Sequence, residues 1–78
     1  MLYVVSTPIG NLEDITIRAL KILRKVELIL AEDTRRGRVL LNYYSIHKPL
    51  LSFYDYNKKS RTKHALSILK DNRDIALI

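Results

Sequence analysis

The sequence predicts an α/β fold built on a mainly parallel sheet with helical crossovers. Short apolar segments alternate with amphipathic ones along the 78 residues, and alternation of strands with helices is typical of parallel sheets. The segments Glu27–Ala31 and Ile75–Ile78 are almost continuously apolar, as expected of strands covered on both faces. Crossovers between parallel strands are right-handed, so we expect the residues that follow the strands to share one edge of the sheet.

Each element is predicted from local signals. The apolar segment Leu2–Ser6 is expected to be a strand, because the Pro and Gly of Thr7–Asn11 end it in a tight turn. The helices are located by apolar residues at helical spacing and by Asp, Thr or Ser at their starts. The further elements expected are, in order, a helix from Asp14 or Thr16 to Arg24 or Lys25, strand Glu27–Ala31, a helix over Arg35–Tyr43, strand Leu50–Tyr54, a helix from Ser60 to Lys70, and strand Ile75–Ile78.

The charge balance indicates an acidic partner. The 14 Lys and Arg residues outnumber the 8 Asp and Glu residues, leaving a formal net charge of +6, and such an excess favours nucleic acid. Cysteine is absent, and His47 and His64 lack further ligands at metal-binding spacing, so we expect no metal site. No apolar stretch approaches the roughly 20 residues of a membrane span, and we expect a cytoplasmic protein that does not associate with membranes.

Three segments that follow strands are expected to converge at the carboxyl edge of the sheet, where ligands bind in folds of this kind. In the first, Thr7–Asn11, Pro8 and Gly10 allow a rigid backbone turn to approach a ligand closely. A complete G-x-G-x-x-G pattern is absent, so an ordinary turn is the alternative interpretation.

The second segment, Glu32–Arg36, places two acids, a hydroxyl and two guanidinium groups directly after a buried strand. The structural interpretation is that Asp33 or Thr34 caps the following helix while Glu32 and Arg35 form an ion pair at its start. The functional interpretation is that the acids orient a sugar hydroxyl while Arg35 or Arg36 holds a phosphate.

The third segment, Tyr54–Asn57, belongs to a region in which Tyr and Phe side chains are interleaved with Lys and Arg. This composition suits stacking on unpaired bases, although aromatic side chains also build cores. The adjacent run Lys58–Lys63 is densely basic, and it is either a solvated helix start or a loop that faces RNA. Cations are unfavourable at a helix N-terminus, which favours an anionic ligand there.

Two motifs together resemble a known family. The stretches Leu2–Thr16 and Leu30–Arg35 are similar to the tetrapyrrole methylases, and among them to the methyltransferases that act on the ribose 2′-hydroxyl of a cytidine in 16S rRNA. The resemblance covers essentially the whole chain. It implies the two-domain tetrapyrrole-methylase fold, with S-adenosylmethionine bound between two α/β domains, and a homodimer.

The resemblance also implies roles for individual residues. Pro8, Ile9 and Gly10 are expected to approach S-adenosylmethionine, whereas Glu32 and Asp33 are expected to position the substrate hydroxyl or to accept its proton. Contacts with 16S rRNA or the small ribosomal subunit are expected from Thr7, Asn11, Thr34, Arg35, Arg36, Tyr54 and Asn57.

The sequence departs from the family pattern at two places. Similar proteins commonly carry a His-rich stretch where this chain has Tyr54–Lys58, and they often carry a His where it has Arg36. No catalytic role for a histidine is therefore transferred to this chain.

The resemblance further implies that residues 1–78 form a truncated N-terminal domain, because similar proteins continue into a cofactor-binding loop rich in Ser, Asp, Ala and Gly and into a second domain. The isolated chain is accordingly expected to be inactive. Two alternatives remain open, a non-catalytic RNA-binding module and a methyltransferase that acts on a tetrapyrrole or another small molecule.

Overall fold

The computed structural model describes all 78 residues and confirms the α/β prediction. Strands and helices alternate along the chain, and a short 3-10 turn precedes the first helix. The elements are β1 (Leu2–Val4), the 3-10 turn (Leu12–Asp14), α1 (Ile17–Lys25), β2 (Leu28–Ala31), α2 (Thr34–Tyr43), β3 (Leu50–Ser52), α3 (Lys58–Lys70) and β4 (Ile75–Leu77).

The four strands form one parallel sheet in the order β1-β4-β2-β3. The last strand of the chain is therefore inserted between the first and the second. Ala76 is aligned with Tyr3 on one side and with Ile29 on the other. Because all strands run in the same direction, the loops that follow β1, β2 and β3 leave the sheet at its carboxyl edge.

One face of the sheet is covered by α1 and α2. Ile29 and Ala76 point to this face and pack in one cluster with Leu23 of α1 and Leu41 of α2, and all four side chains are fully buried. The apolar positions of both helices recur at helical spacing, which turns a continuous apolar stripe toward the strands. This cluster is the main core of the molecule.

The opposite face is covered by α3 alone. Leu30 and Ile75 point to this face and pack against Ala65 of α3. Leu2 and Val4 of β1 lie on the same face through their alignment with Ile75 and Leu77, yet Val4 is 79% exposed. Helix α3 therefore covers β2 and β4 and leaves β1 open.

The helix starts reveal which predicted caps are used. Thr16 caps α1, since its Oγ1 accepts a hydrogen bond from the backbone N–H of Ala19 at 3.0 Å. Asp33 caps α2, as one of the two predicted alternatives. Helix α3 begins at Lys58, two residues before the predicted Ser60, and no side chain caps it. The Ser60 hydroxyl instead donates to the carbonyl of Asn57.

A glycine in α2 brings this helix close to the sheet. A Cβ atom on Gly37 would lie 3.3 Å from Cδ2 of Leu50 and 3.5 Å from Cβ of Ala31. The absence of a side chain therefore lets the first turns of α2 rest against the carboxyl ends of β2 and β3. This close approach fixes the position of the residues at the start of α2.

No helix combines the length and the hydropathy needed to span a membrane. No group of three or more His, Asp or Glu side chains is arranged to hold a metal ion.

Candidate functional site

A groove lies at the carboxyl edge of the sheet, between the loop after β1 and the start of α2. Its volume is about 680 Å³, within the range of roughly 300–1,000 Å³ that ligand sites occupy. Thr7–Gly10 form one wall, and Ile78 lies between the walls. The polar side chains of the second wall are Glu32, Asp33, Arg35 and Arg36. The first two predicted segments therefore meet, as the sequence indicated.

The loop after β1 exposes its backbone to this groove. Gly10 has a φ angle of 96°, in the left-handed region that favours glycine. No atom lies within 4 Å of the position that a Cβ on Gly10 would occupy, so a ligand has room to approach the chain there. Ile9 is 89% exposed and adds an apolar surface. Asn11 does not line the groove; its side chain accepts a hydrogen bond from the N–H of Glu13 and caps the 3-10 turn.

Two tyrosines at the end of α2 hold this loop in place. The hydroxyl of Tyr44 donates to the carbonyl oxygen of Leu12 at 2.6 Å, and the hydroxyl of Tyr43 donates to Oε1 of Glu13 at 3.1 Å. The carboxylate of Glu13 favours the protonated phenol and so raises the pKa of Tyr43. The sequence predicted that aromatic side chains such as these either stack on bases or build the core, and it did not predict this anchoring role.

The two acids of the groove have different surroundings. Oδ1 of Asp33 accepts hydrogen bonds from the backbone N–H groups of Arg35 and Arg36 at 3.0 and 3.3 Å, and its Oδ2 lies 3.9 Å from Nε of Arg36. Glu32 is exposed and forms neither a hydrogen bond nor an ion pair within the chain. The predicted pairing of Glu32 with Arg35 is therefore wrong, because Arg36 meets the capping aspartate instead.

We expect Asp33→Ala to destabilise the chain by about 1 kcal/mol, because the substitution removes the acceptor for two N–H groups at the start of α2. Asp33→Asn retains an acceptor oxygen and should cost only a fraction of that. Urea unfolding of the three proteins measures the difference, with Asp14→Ala as the control, since Asp14 is exposed and its side chain forms neither a hydrogen bond nor an ion pair within the chain. Equal stabilities of the Asp33→Ala and wild-type proteins would contradict the capping role.

The third predicted segment lies apart from the groove. β3 is an edge strand and ends at Ser52, so Tyr54–Asn57 form a turn at the far side of the sheet. Within it, Oδ1 of Asn57 accepts from the N–H of Tyr54 at 2.9 Å, and Nδ2 donates to Oγ of Ser52 at 2.7 Å. This segment leaves the sheet at the predicted carboxyl edge but does not line the groove with the other two. Tyr56 lies in the same segment, and its side chain is 96% exposed.

A second cavity, of about 640 Å³, lies between α2, β3 and α3. This cavity was not predicted from the sequence. The spacing of Arg35, Arg38 and Asn42 could have indicated it, because it places polar residues on one face of α2. The polar residues that line this cavity are Thr34, Arg35, Arg38, Asn42, Ser52 and Arg61. Arg35 lines both the groove and this cavity.

Known proteins are similar to this chain in sequence. A relative named ribosomal RNA small subunit methyltransferase I from Thermotoga maritima is 64% identical over 99% of this chain and 35% of its own length. Relatives of the same name from Mycoplasmopsis pulmonis and Bacillus subtilis are 49% and 46% identical, over 99% and 100% of this chain and 35% and 27% of their own lengths. The chain thus spans between about a quarter and a third of the length of the curated relatives it matches.

The family comparison agrees with the architecture. The model of the tetrapyrrole (corrin/porphyrin) methylases matches residues 1–76, which include every strand except the last residue of β4. Both walls of the groove lie within this match. The chain belongs to the tetrapyrrole (corrin/porphyrin) methylase family.

Proposed function

We propose that this chain is part of an S-adenosylmethionine-dependent methyltransferase that methylates the ribose 2′-hydroxyl of a cytidine in 16S rRNA. The observation that carries the proposal is the 64% identity to a relative named for methylation of small-subunit ribosomal RNA. In this proposal residues 1–78 belong to the N-terminal α/β domain of a two-domain cytoplasmic enzyme that acts as a homodimer. The groove at the carboxyl edge of the sheet provides one wall of its active site.

The loop after β1 is the proposed contact for S-adenosylmethionine. Pro8 and Ile9 offer apolar surface, and the backbone at Gly10 has open space beside it. These features fit the apolar walls and few polar groups of a ligand site. When bound, S-adenosylmethionine supplies an activated methyl group. The loop itself contributes position, because the hydrogen bond from Tyr44 to Leu12 restrains the segment that follows it.

The second wall is the proposed contact for the RNA. Glu32 has no partner within the chain, so its carboxylate is free to accept a hydrogen bond from the ribose hydroxyl, to hold its oxygen in line for transfer, and to take its proton. Asp33 supports this wall by fixing the start of α2. Arg35 and Arg36 extend from the same turn and are proposed to hold phosphate, with Thr7 and Thr34 as further contacts.

The neighbouring aromatic turn is proposed as a secondary RNA surface. Tyr54 is 43% exposed, and its ring stands edge-on to that of Tyr56 with 6.3 Å between centroids. Exposed rings beside Lys58 and Lys59 suit stacking on unpaired bases. The side chain of Asn57 fixes this turn, and its proposed effect on RNA binding is to hold Tyr54 in position. Asn11 is likewise proposed to act by holding the turn that follows Gly10.

The family name also admits a tetrapyrrole as methyl acceptor. The excess of cations, +6 for the chain, and the guanidinium groups of the second wall favour a polyanion instead. A non-catalytic RNA-binding module would have the same cations but would not need the unpaired Glu32 beside an open backbone loop. An assay of methyl transfer to different acceptors separates the rRNA methyltransferase, the tetrapyrrole methyltransferase and the non-catalytic module.

We expect the full-length protein to transfer a labelled methyl group from S-adenosylmethionine to small ribosomal subunits, and not to a porphyrin precursor. Nuclease digestion followed by mass spectrometry should find the label on the ribose of a cytidine. Label on the base, or transfer to the porphyrin precursor alone, would replace the proposed acceptor. Tight RNA binding without any transfer would favour the non-catalytic module.

A further inference from the structure

The second cavity is built around three arginines at the open edge of the sheet. Arg35 and Arg38 stand three residues apart on one face of α2, and Arg61 extends from the first half of α3. The edge strand β3 forms the floor between the two helices. The cavity opens to solvent and contains no carboxylate among its lining residues.

The three guanidinium groups have no negative partner in the chain. Arg36 lies near Asp33 and Arg73 lies near Asp71, but Arg35, Arg38 and Arg61 form no ion pair with any Asp or Glu. Three like charges on one cavity repel one another, and the repulsion is relieved when an anion binds. A surface that only contacts solvent does not need three unpaired guanidinium groups around one cavity.

The guanidinium group of Arg61 is oriented by a hydrogen bond. Its Nε donates to the carbonyl oxygen of Ser52 at 3.0 Å, which orients the guanidinium plane and leaves its terminal N–H groups free. The hydroxyl oxygen of Ser52 is in turn fixed by Nδ2 of Asn57 at 2.7 Å. Guanidinium groups suit phosphate because two parallel N–H donors match two phosphate oxygens.

We propose that this cavity binds a backbone phosphate of the RNA substrate, next to the nucleotide whose ribose enters the groove. This inference rests on the proposed function. Arg35 lines both the groove and the cavity, so a single strand that passes over Arg35 reaches both sites. The open form of the cavity suits a polymer that continues beyond the bound phosphate. Thr34, Asn42 and Ser52 add neutral hydrogen-bonding groups around the phosphate oxygens.

The test is the salt dependence of RNA binding by the full-length protein. Single-stranded 16S rRNA fragments that contain the methylated cytidine are titrated at several salt concentrations. For single strands the logarithmic slope changes by about 0.7 for each phosphate contact. We expect Arg38→Ala to weaken binding and to flatten the slope by up to that amount, and the double substitution Arg38→Ala and Arg61→Ala to remove this one phosphate contact completely, so that the slope is flattened by about 0.7 and no more.

Two control variants separate a specific contact from a change in net charge. Arg73→Ala removes the same charge at the amino end of β4, away from the cavity, and should leave the slope unchanged. Arg38→Lys keeps a cation in the cavity and should restore most of the slope. An unchanged slope for Arg38→Ala, or an equal loss for Arg73→Ala, would overturn the inference.

The methylation assay keeps this inference distinct from the proposed function. If wild-type protein methylates the RNA while Arg38→Ala binds with an unaltered slope, the phosphate site is wrong and the methyltransferase stands. If wild-type protein methylates no RNA but Arg38→Ala still flattens the slope, the RNA phosphate site stands and the proposed reaction is wrong. A competition titration with inorganic phosphate tells whether RNA or free phosphate is the ligand. Competition that is only as weak as that of a mononucleotide supports the RNA polymer as the ligand. Tighter binding of free phosphate than of RNA contradicts it.

Discussion

Glu32→Gln is expected to lower the single-turnover rate of methyl transfer to small-subunit rRNA by about 100-fold or more, the lower end of what a positioned proton acceptor contributes. The amide keeps the shape of the side chain but cannot take the proton of the ribose hydroxyl. Glu32 has no partner in the chain, so the substitution breaks no internal hydrogen bond. Affinity for S-adenosylmethionine should stay unchanged, because the cofactor is assigned to the opposite wall of the groove.

Glu27→Gln is the matched control. Glu27 is also exposed but precedes β2, at the amino edge of the sheet, and its substitution should leave the rate unaltered. Asp33→Asn should lower the rate less than Glu32→Gln if Asp33 acts through the position of α2. A normal rate for Glu32→Gln would show that the acid is only a solvated residue, and a loss of cofactor affinity would move it to the cofactor wall.

Ile29→Ala is expected to destabilise the fold by about 2–5 kcal/mol, the range for removal of a large buried aliphatic side chain. Ile29 is fully buried on the central strand β2 and packs in the main core cluster. A loss of this size is a large fraction of the roughly 5–15 kcal/mol that stabilises a typical domain. Urea unfolding of the full-length protein should show a lower midpoint.

Ile17→Ala provides the same chemical change at the surface. Ile17 is the first residue of α1 and is 74% exposed, so its removal should change stability by less than about 0.5 kcal/mol. Similar midpoints for Ile29→Ala and Ile17→Ala would mean that the core is not centred on β2.

Most elements follow from local signals, and the differences lie at their ends. The strand after Pro49 was expected to reach Tyr54 but ends at Ser52, because Asn57 folds back and accepts a hydrogen bond from the N–H of Tyr54. The same fold-back starts α3 at Lys58 rather than Ser60. Tyr54 and Asn57 both lie in the loop between β3 and α3, so neither strand propensity nor helix-capping preference reveals their contact.

The sequence predicts those parts of the candidate site that depend on the direction of the strands, but not those that depend on the order of the strands in the sheet. Parallel strands bring their carboxyl ends to one edge, which is enough to place Gly10 and Glu32 on facing walls. The sequence does not state that β4 separates β1 from β2 or that β3 is an edge strand. The absence of Tyr54 from the groove and the placement of Arg38 and Arg61 around one cavity both follow from that order.

The central position of β4 has a consequence for how the chain folds during synthesis. β2 and β3 pair directly and are joined by one helix, so they can associate early. Within residues 1–78, β1 pairs with β4, which is made after β2, β3 and α3, and this pairing must close a loop that spans nearly all of these residues. Until Ile75–Leu77 leave the ribosome, Leu2 and Val4 remain on a strand with no neighbour. A pause in translation shortly before β4 therefore prolongs the stage at which the nascent chain is most prone to associate with other chains.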